Sequence, residues 1–282
     1  MRLPQKEDST IDVEQTKEMV DLFLEAGFTY FDTAYMYHEY ESERAVKDVL
    51  VTRKDRDSYT LASKLPVMQL KEKEDMERIF DEQREKCGVE YFDYYLLHAL
   101  DAEHYKTVKR LDCFGFAMQK KAEGKVKHVG FSFHDSAEVL DQILTEHPEA
   151  EFVQLQLNYL DWTFQKAKEK YELLTSLGIP VWVMEPVRGG RLARLDAAEE
   201  EALRALNPDL SPAAWALRFV KDLPNVHMVL SGMSNMEQLQ ENIRTFEEDR
   251  PLNGKEMKEL LAVADDMVSR IALPCTACHY CV

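Results

Sequence analysis

Phe28-Thr29-Tyr30-Phe31-Asp32-Thr33, followed by Ala34-Tyr35-Met36-Tyr37, is the stretch on which the fold turns. Its first six residues make a short, nearly unbroken apolar run of strand length, with a carboxylate close to its end. A run of this kind, rather than an alternating one, marks a strand covered on both faces. Amphipathic segments flank it. Asp12 can cap a helix carrying Val13, Thr16, Val20 and Phe23 on one face, with Gln15 completing a capping box and Gly27 ending it. Ser42 can cap the next helix, whose apolar residues are Ala45, Val46 and Val49.

The same alternation continues along the chain. Further strands are expected at Tyr59–Lys64, Phe92–His98, His128–Phe133, Phe152–Leu157, Val181–Glu185 and Val226–Ser231. Helical patterns separate them: Met76, Ile79, Phe80 and Cys87 up to Gly88; Val139, Leu140, Ile143 and Leu144 after Ser136; and a helix opened by Ser211-Pro212. Strands alternating with helices give an α/β fold with a parallel sheet. Met1–Pro4 reads as the end of an eighth strand whose beginning is absent. A closed (β/α)8 TIM barrel needs roughly 250 residues, which fits a chain of 282. The expected organisation is a barrel over residues 1–270, its first strand truncated, and a short Cys-rich tail over 271–282. An open doubly wound sheet is the alternative, but no Gly-x-Gly-x-x-Gly turn follows any early strand.

Fifty-two Asp and Glu against 35 Lys and Arg give a formal charge of -17, which argues against nucleic acid or an anionic membrane as partner. No apolar run approaches a membrane span and no signal peptide opens the chain, so a cytoplasmic location is expected. Three of the five cysteines crowd the last eight residues. That distribution suits a reducing compartment better than a disulfide framework. Cys87 and Cys113 fall on helical patterns as packing residues.

In a barrel, chemistry sits at the C-terminal ends of the strands. Asp32, Lys64 and His98 fall there, and Tyr37 lies in the loop after the first of them. Reduction of a carbonyl leaves an alkoxide to be stabilised and protonated. A tyrosine hydroxyl can give that proton once a lysine ammonium stabilises its phenolate, an aspartate can hold the lysine charged, and a histidine can orient the carbonyl oxygen. Phe31-Asp32-Thr33-Ala34 with Tyr37, Ser42-Glu43, Ser63-Lys64 and Leu97-His98 together resemble the aldo-keto reductase superfamily. The resemblance implies a catalytic tetrad of Asp32, Tyr37, Lys64 and His98. Tyr35 is a neighbour of the same type, but the five-residue step from Asp32 favours Tyr37.

The resemblance extends to a nicotinamide cofactor, NAD(P)H. It implies Ser132 and Gln154 at the nicotinamide amide, Met184 where the family carries a stacking ring, and Arg188 and Gly190 in a pyrophosphate loop. Gly232, Ser234, Gln238 and Asn242 are implied at the adenosine end, and Asn158 matches a further family position. Phe133 stands where the family carries Asn. Positions 234–238 carry no Lys or Arg to hold a 2′-phosphate, and Arg244 lies one turn too late, so a preference for NADPH does not follow.

Cys275-Thr-Ala-Cys278-His279-Tyr-Cys281 provides three thiolates at the spacing of a [4Fe-4S] cluster, the fourth ligand not being in the chain shown. Zinc with His279, or covalent haem at Cys275–His279, are the other readings. The tail resembles that of a subset of aldo-keto reductases with a ferredoxin-like C-terminal segment, which favours metal binding by Cys275, Cys278 and Cys281 as an iron-sulfur centre. The expected function is an oxidoreductase transferring a hydride between a nicotinamide cofactor and a small-molecule carbonyl or alcohol substrate, coupled to the cluster. The alternative is a non-catalytic redox-sensing subunit or electron-transfer partner. Tyr159, Trp162 and Phe164 either line a substrate pocket or pack on the barrel.

Overall fold

The computed structural model describes residues 2–270, so the cysteine run Cys275–Cys281 lies outside the described residues. Among the described residues there are seven strands: β1 (Tyr30–Asp32), β2 (Thr60–Leu65), β3 (Phe92–Leu100), β4 (Val126–Phe133), β5 (Val153–Gln156), β6 (Val181–Met184) and β7 (Val226–Val229). They follow one another in the sheet in chain order. Pairing is parallel between β1 and β2, β2 and β3, β3 and β4, and β6 and β7. Both ends of each strand fall within two residues of the run expected for it.

The chain forms two compact units. One comprises the residues up to Gln154 together with Gly232–Ile243, and the other Leu155–Ser231 with the chain from Arg244 onward. In the first unit, Leu61, Ala62 and Leu65 of β2 are buried, as are Tyr95, Leu96 and Leu97 of β3 and Val129, Phe131 and Phe133 of β4. Consecutive buried residues show that these strands are covered on both faces. Gly130 follows from this packing: a Cβ there would lie 2.5 Å from the Phe152 carbonyl oxygen. In the second unit the helix Pro212–Lys221 opens as expected, with Ser211 Oγ accepting the Ala214 N–H at 3.1 Å. Its Trp215, Leu217, Phe219 and Val220 are buried.

Other helix signals are equally local. Asp12 caps Val13–Glu25 through the Gln15 N–H, and Gly88 ends Glu74–Cys87 in the left-handed region, with φ of 70°. The capping box expected of Gln15 is not formed, because the Asp12 N–H donates instead to the Pro4 carbonyl at 2.8 Å. Two further expectations differ from the structure. Ser42 is the first residue of the helix Ser42–Val46 rather than its side-chain cap, because its buried hydroxyl pairs with Thr33 Oγ1 at 2.8 Å. Arg2–Pro4 carries no strand. Gln5 instead forms an isolated antiparallel bridge with Ile11. Among the described residues, no helix is long and apolar enough to cross a membrane.

Candidate active site

Lys64, near the C-terminal end of β2, is fully buried. Its Nζ lies 2.6 Å from Asp32 Oδ1 and donates to the Thr33 carbonyl at 2.8 Å. It also sits 5.0 Å from the centroid of the Tyr37 ring. Burial works against the ammonium, but the Asp32 carboxylate and the Tyr37 hydroxyl more than offset it and hold Lys64 above the usual lysine range. Parallel pairing of β1 with β2 sets Asp32 beside Ala62, which brings the carboxylate within reach of a lysine two residues further on.

His98, on β3, meets the Tyr37 ring edge-on at 5.7 Å between centroids. Burial, followed by the charge of Lys64 and the neighbouring His134, pushes its pKa well below the ordinary histidine value. The imidazole is therefore neutral, and Nδ1 is buried with no hydrogen-bond partner among the described residues. Asp32, Tyr37, Lys64 and His98 thus form one continuous group in the first unit. Tyr35 stands apart from it. Its hydroxyl donates to Glu82 Oε2 at 2.8 Å, Lys86 lies over its ring, and burial with the Glu82 contact raises its pKa to about 12.

A buried network lies behind Lys64. Ser63 Oγ and Gln83 Nε2 donate to Glu43 Oε1 at 2.7 and 2.8 Å, and the same amide lies 3.0 Å from the Lys64 carbonyl. Tyr95 donates to Gln83 Oε1 at 2.7 Å. Glu43 Oε2 has no partner among the described residues, and burial raises the Glu43 pKa. A further hydroxyl, that of Tyr30, reaches Asp32 Oδ2 at 3.4 Å.

The residues expected at the cofactor are distributed as follows. Ser132 is buried on β4, and its Oγ accepts the Ala99 N–H at 2.7 Å, which leaves the hydroxyl proton to donate. Gln154 is buried on β5. Ser234 N–H donates to Gln238 Oε1 at 2.8 Å, and Asn235 Oδ1 accepts the Gln238 N–H at 2.9 Å, so Gln238 closes the turn that opens the helix Met236–Glu247. Asn242 lies on that helix, and Gly232 just before the turn. In the second unit, Met184 ends β6 and Gly190 takes φ of 95°. Arg188 Nε lies 3.1 Å from Asp161, a buried carboxylate that also accepts from Asn158 at 2.7 Å and Gln156 at 2.9 Å. Tyr159 and Trp162 pack on Phe219, and Phe164 lies under the Arg188 guanidinium.

Glu43 with Gln83, and Tyr30, were missed as neighbours of the Lys64 group in the first unit, and Asp161 as the partner of Arg188 in the second. Tyr30 had a usable signal, since residues two apart on a strand share a face. Asp161 had a weaker one in its i, i+3 spacing from Asn158.

A parallel α/β sheet thus carries an Asp–Lys–Tyr–His group about the C-terminal ends of its first three strands. The signature of the Aldo/keto reductase family matches residues 1–265, and the chain belongs to that family of oxidoreductases. It is 25% identical over 277 residues to the uncharacterized oxidoreductase YqkF of Bacillus subtilis (strain 168), covering 86% of this chain and 85% of that one. The fold is shared with the aldo-keto reductase AKR11C1 from Bacillus halodurans in its holo form, with a TM-score of 0.72, 23% identity and coverage of 89% and 88%. It is shared equally with an aldo/keto reductase from Klebsiella pneumoniae solved in complex with NADP and acetate, with a TM-score of 0.73, 19% identity and coverage of 93% and 90%.

Proposed function

We propose that the chain is a nicotinamide-dependent reductase of carbonyl compounds, or dehydrogenase of the corresponding alcohols. The observation that carries this reading is the fully buried Lys64 ammonium held between Asp32 at 2.6 Å and the Tyr37 ring at 5.0 Å. The residues present suit the cofactor. Ser132 keeps a proton to donate to a carboxamide. Relatives bound to NADP and NADPH support the same choice. Bound, the cofactor supplies the hydride.

The rest of the chemistry falls to this chain's side chains. Tyr37 gives its hydroxyl proton to the oxygen of the reduced carbonyl. Lys64, kept charged by Asp32, stabilises the phenolate left behind. Neutral His98 orients the carbonyl oxygen through an N–H without competing for the proton. Gln154 and Asn242 are assigned to the cofactor with Ser132, Gly232, Ser234 and Gln238. Met184, Arg188 and Gly190 are assigned by sequence position alone. Cys275, Cys278 and Cys281 are proposed, on spacing alone, as three residues that would hold a [4Fe-4S] cluster.

Tyr37→Phe with Tyr35→Phe as control tests the reading. Loss of a general acid costs roughly 10²–10⁴-fold in the chemical step, so Tyr37→Phe should lose that much while binding cofactor normally. Tyr35→Phe should keep most of its rate. An unchanged single-turnover rate in Tyr37→Phe would refute the assignment.

A further inference from the structure

The turn at Gly232–Asn235 raises a charge problem. An anionic dinucleotide approaching a chain of formal charge -17 needs a local cation. The helix Met236–Glu247 supplies little of one: Asn235 Oδ1 takes the Gln238 N–H, Gln238 Oε1 takes the Ser234 N–H, and Glu237 lies in the first turn. Within positions 234–238 there is no basic residue.

A basic side chain far away in sequence lies against this turn. A Cβ built on Gly232 would come within 3.1 Å of Cβ and Cγ of Arg2 and 3.2 Å of its Cδ. The aliphatic stem of Arg2 therefore lies directly on Gly232, in space that a larger residue would contest. Ser234 Oγ donates to the Arg2 carbonyl at 3.5 Å, tying two segments 232 residues apart in sequence. Arg2 is exposed, and its guanidinium enters no ion pair among the described residues. A guanidinium presents a fork of N–H donors that matches phosphate geometry.

We propose that Arg2 is a phosphate ligand of the nicotinamide dinucleotide, seated over Gly232 in place of the basic residue that the 234–238 turn lacks. The inference rests on the nicotinamide reading given above. It assigns to Arg2 a role for which positions 234–238 carry no basic residue. Two phosphate sources are possible on one ligand, the pyrophosphate common to NADH and NADPH and the 2′-phosphate of NADPH alone.

The test is equilibrium binding, read by quenching of tryptophan fluorescence, for the wild-type chain and Arg2→Ala with each dinucleotide. Because Arg2 is exposed, its removal leaves the core intact. One exposed Arg–phosphate contact corresponds to about five- to tenfold in Kd at low salt. Weakening confined to NADPH supports the proposal and places Arg2 at the 2′-phosphate. Equal weakening for both dinucleotides supports it with Arg2 at the pyrophosphate. Unchanged Kd for both overturns the proposal while leaving the nicotinamide reading intact. A wild-type chain that binds neither dinucleotide overturns that reading and this one with it.

Discussion

Replacing Asp32 with Asn removes one charge from the Lys64 pair and little else. The Asn oxygen still accepts a hydrogen bond, and the Thr33 carbonyl still takes the one at 2.8 Å. What is lost is the counter-ion of an ammonium that is 0% exposed, beside a carboxylate only 14% exposed. Uncompensated buried charges of this kind cost about 3–5 kcal/mol, and the surviving hydrogen bonds place Asp32→Asn near the lower figure. Linkage makes the loss depend on pH. In the wild type, Lys64 is raised above 10.5, so its contribution is complete below that pH and is lost only as pH rises through the folded value. In Asp32→Asn the burial of Lys64 acts unopposed except by Tyr37, and the folded pKa falls below 10.5. The unfolded chain then binds more protons than the folded one, and the variant gains up to about 1.4 kcal/mol of stability per pH unit as pH rises towards 10.5. Urea unfolding at several pH values between neutrality and 9.5 measures both effects. A loss under about 1 kcal/mol, or a deficit that stays constant with pH, would refute the claim that the pair is a buried and charged one.

Two further outcomes follow from the same description. His98 is held neutral well below its ordinary value of 6.5, so wild-type stability should fall as pH drops below 6.5, where the unfolded chain takes up a proton and the folded chain does not. His98→Gln should flatten that fall by up to about 1.4 kcal/mol per pH unit, as read by thermal unfolding. Anaerobically purified protein should show the broad visible absorption of an iron-sulfur centre, lost when Cys278 is changed to Ser. Colourless protein without bound iron would remove the cluster from the proposed function.

Much of the fold was legible because buried strands have a simple signature. Tyr59–Lys64 and Phe92–His98 read as apolar runs, and β2 and β3 fall on them nearly residue for residue. The grouping of the candidate site was legible at the strand ends: Asp32, Lys64 and His98 come from three neighbouring strands, so position along the chain predicts proximity in space. The choice between Tyr35 and Tyr37 rested on a step of five residues, and in the structure Tyr35 is turned away to Glu82. What could not be read is what depends on the far end of the chain or on side chains crossing between elements. Nothing local connects Arg2 with Gly232. Gln83 looks like one more polar residue on a helix, although it is fully buried and bonded to residues of β2 and β3 as well as to Glu43. Ser42 carried a capping signal, but burial gave its hydroxyl a different partner.

The buried group of Glu43, Ser63, Gln83 and Tyr95 also constrains how this sequence can change. Each member satisfies another member's polar atoms out of reach of water, and an orphaned polar group in that position costs about 1–3 kcal/mol. Single replacements therefore leave a neighbour unsatisfied, whereas a coordinated exchange of several of them for apolar residues of matching volume removes the need for any partner. The four positions are therefore expected to change together, since single steps pass through less stable intermediates. Because the Gln83 amide lies 3.0 Å from the Lys64 carbonyl, that historical restriction falls on the segment of β2 that carries the buried lysine.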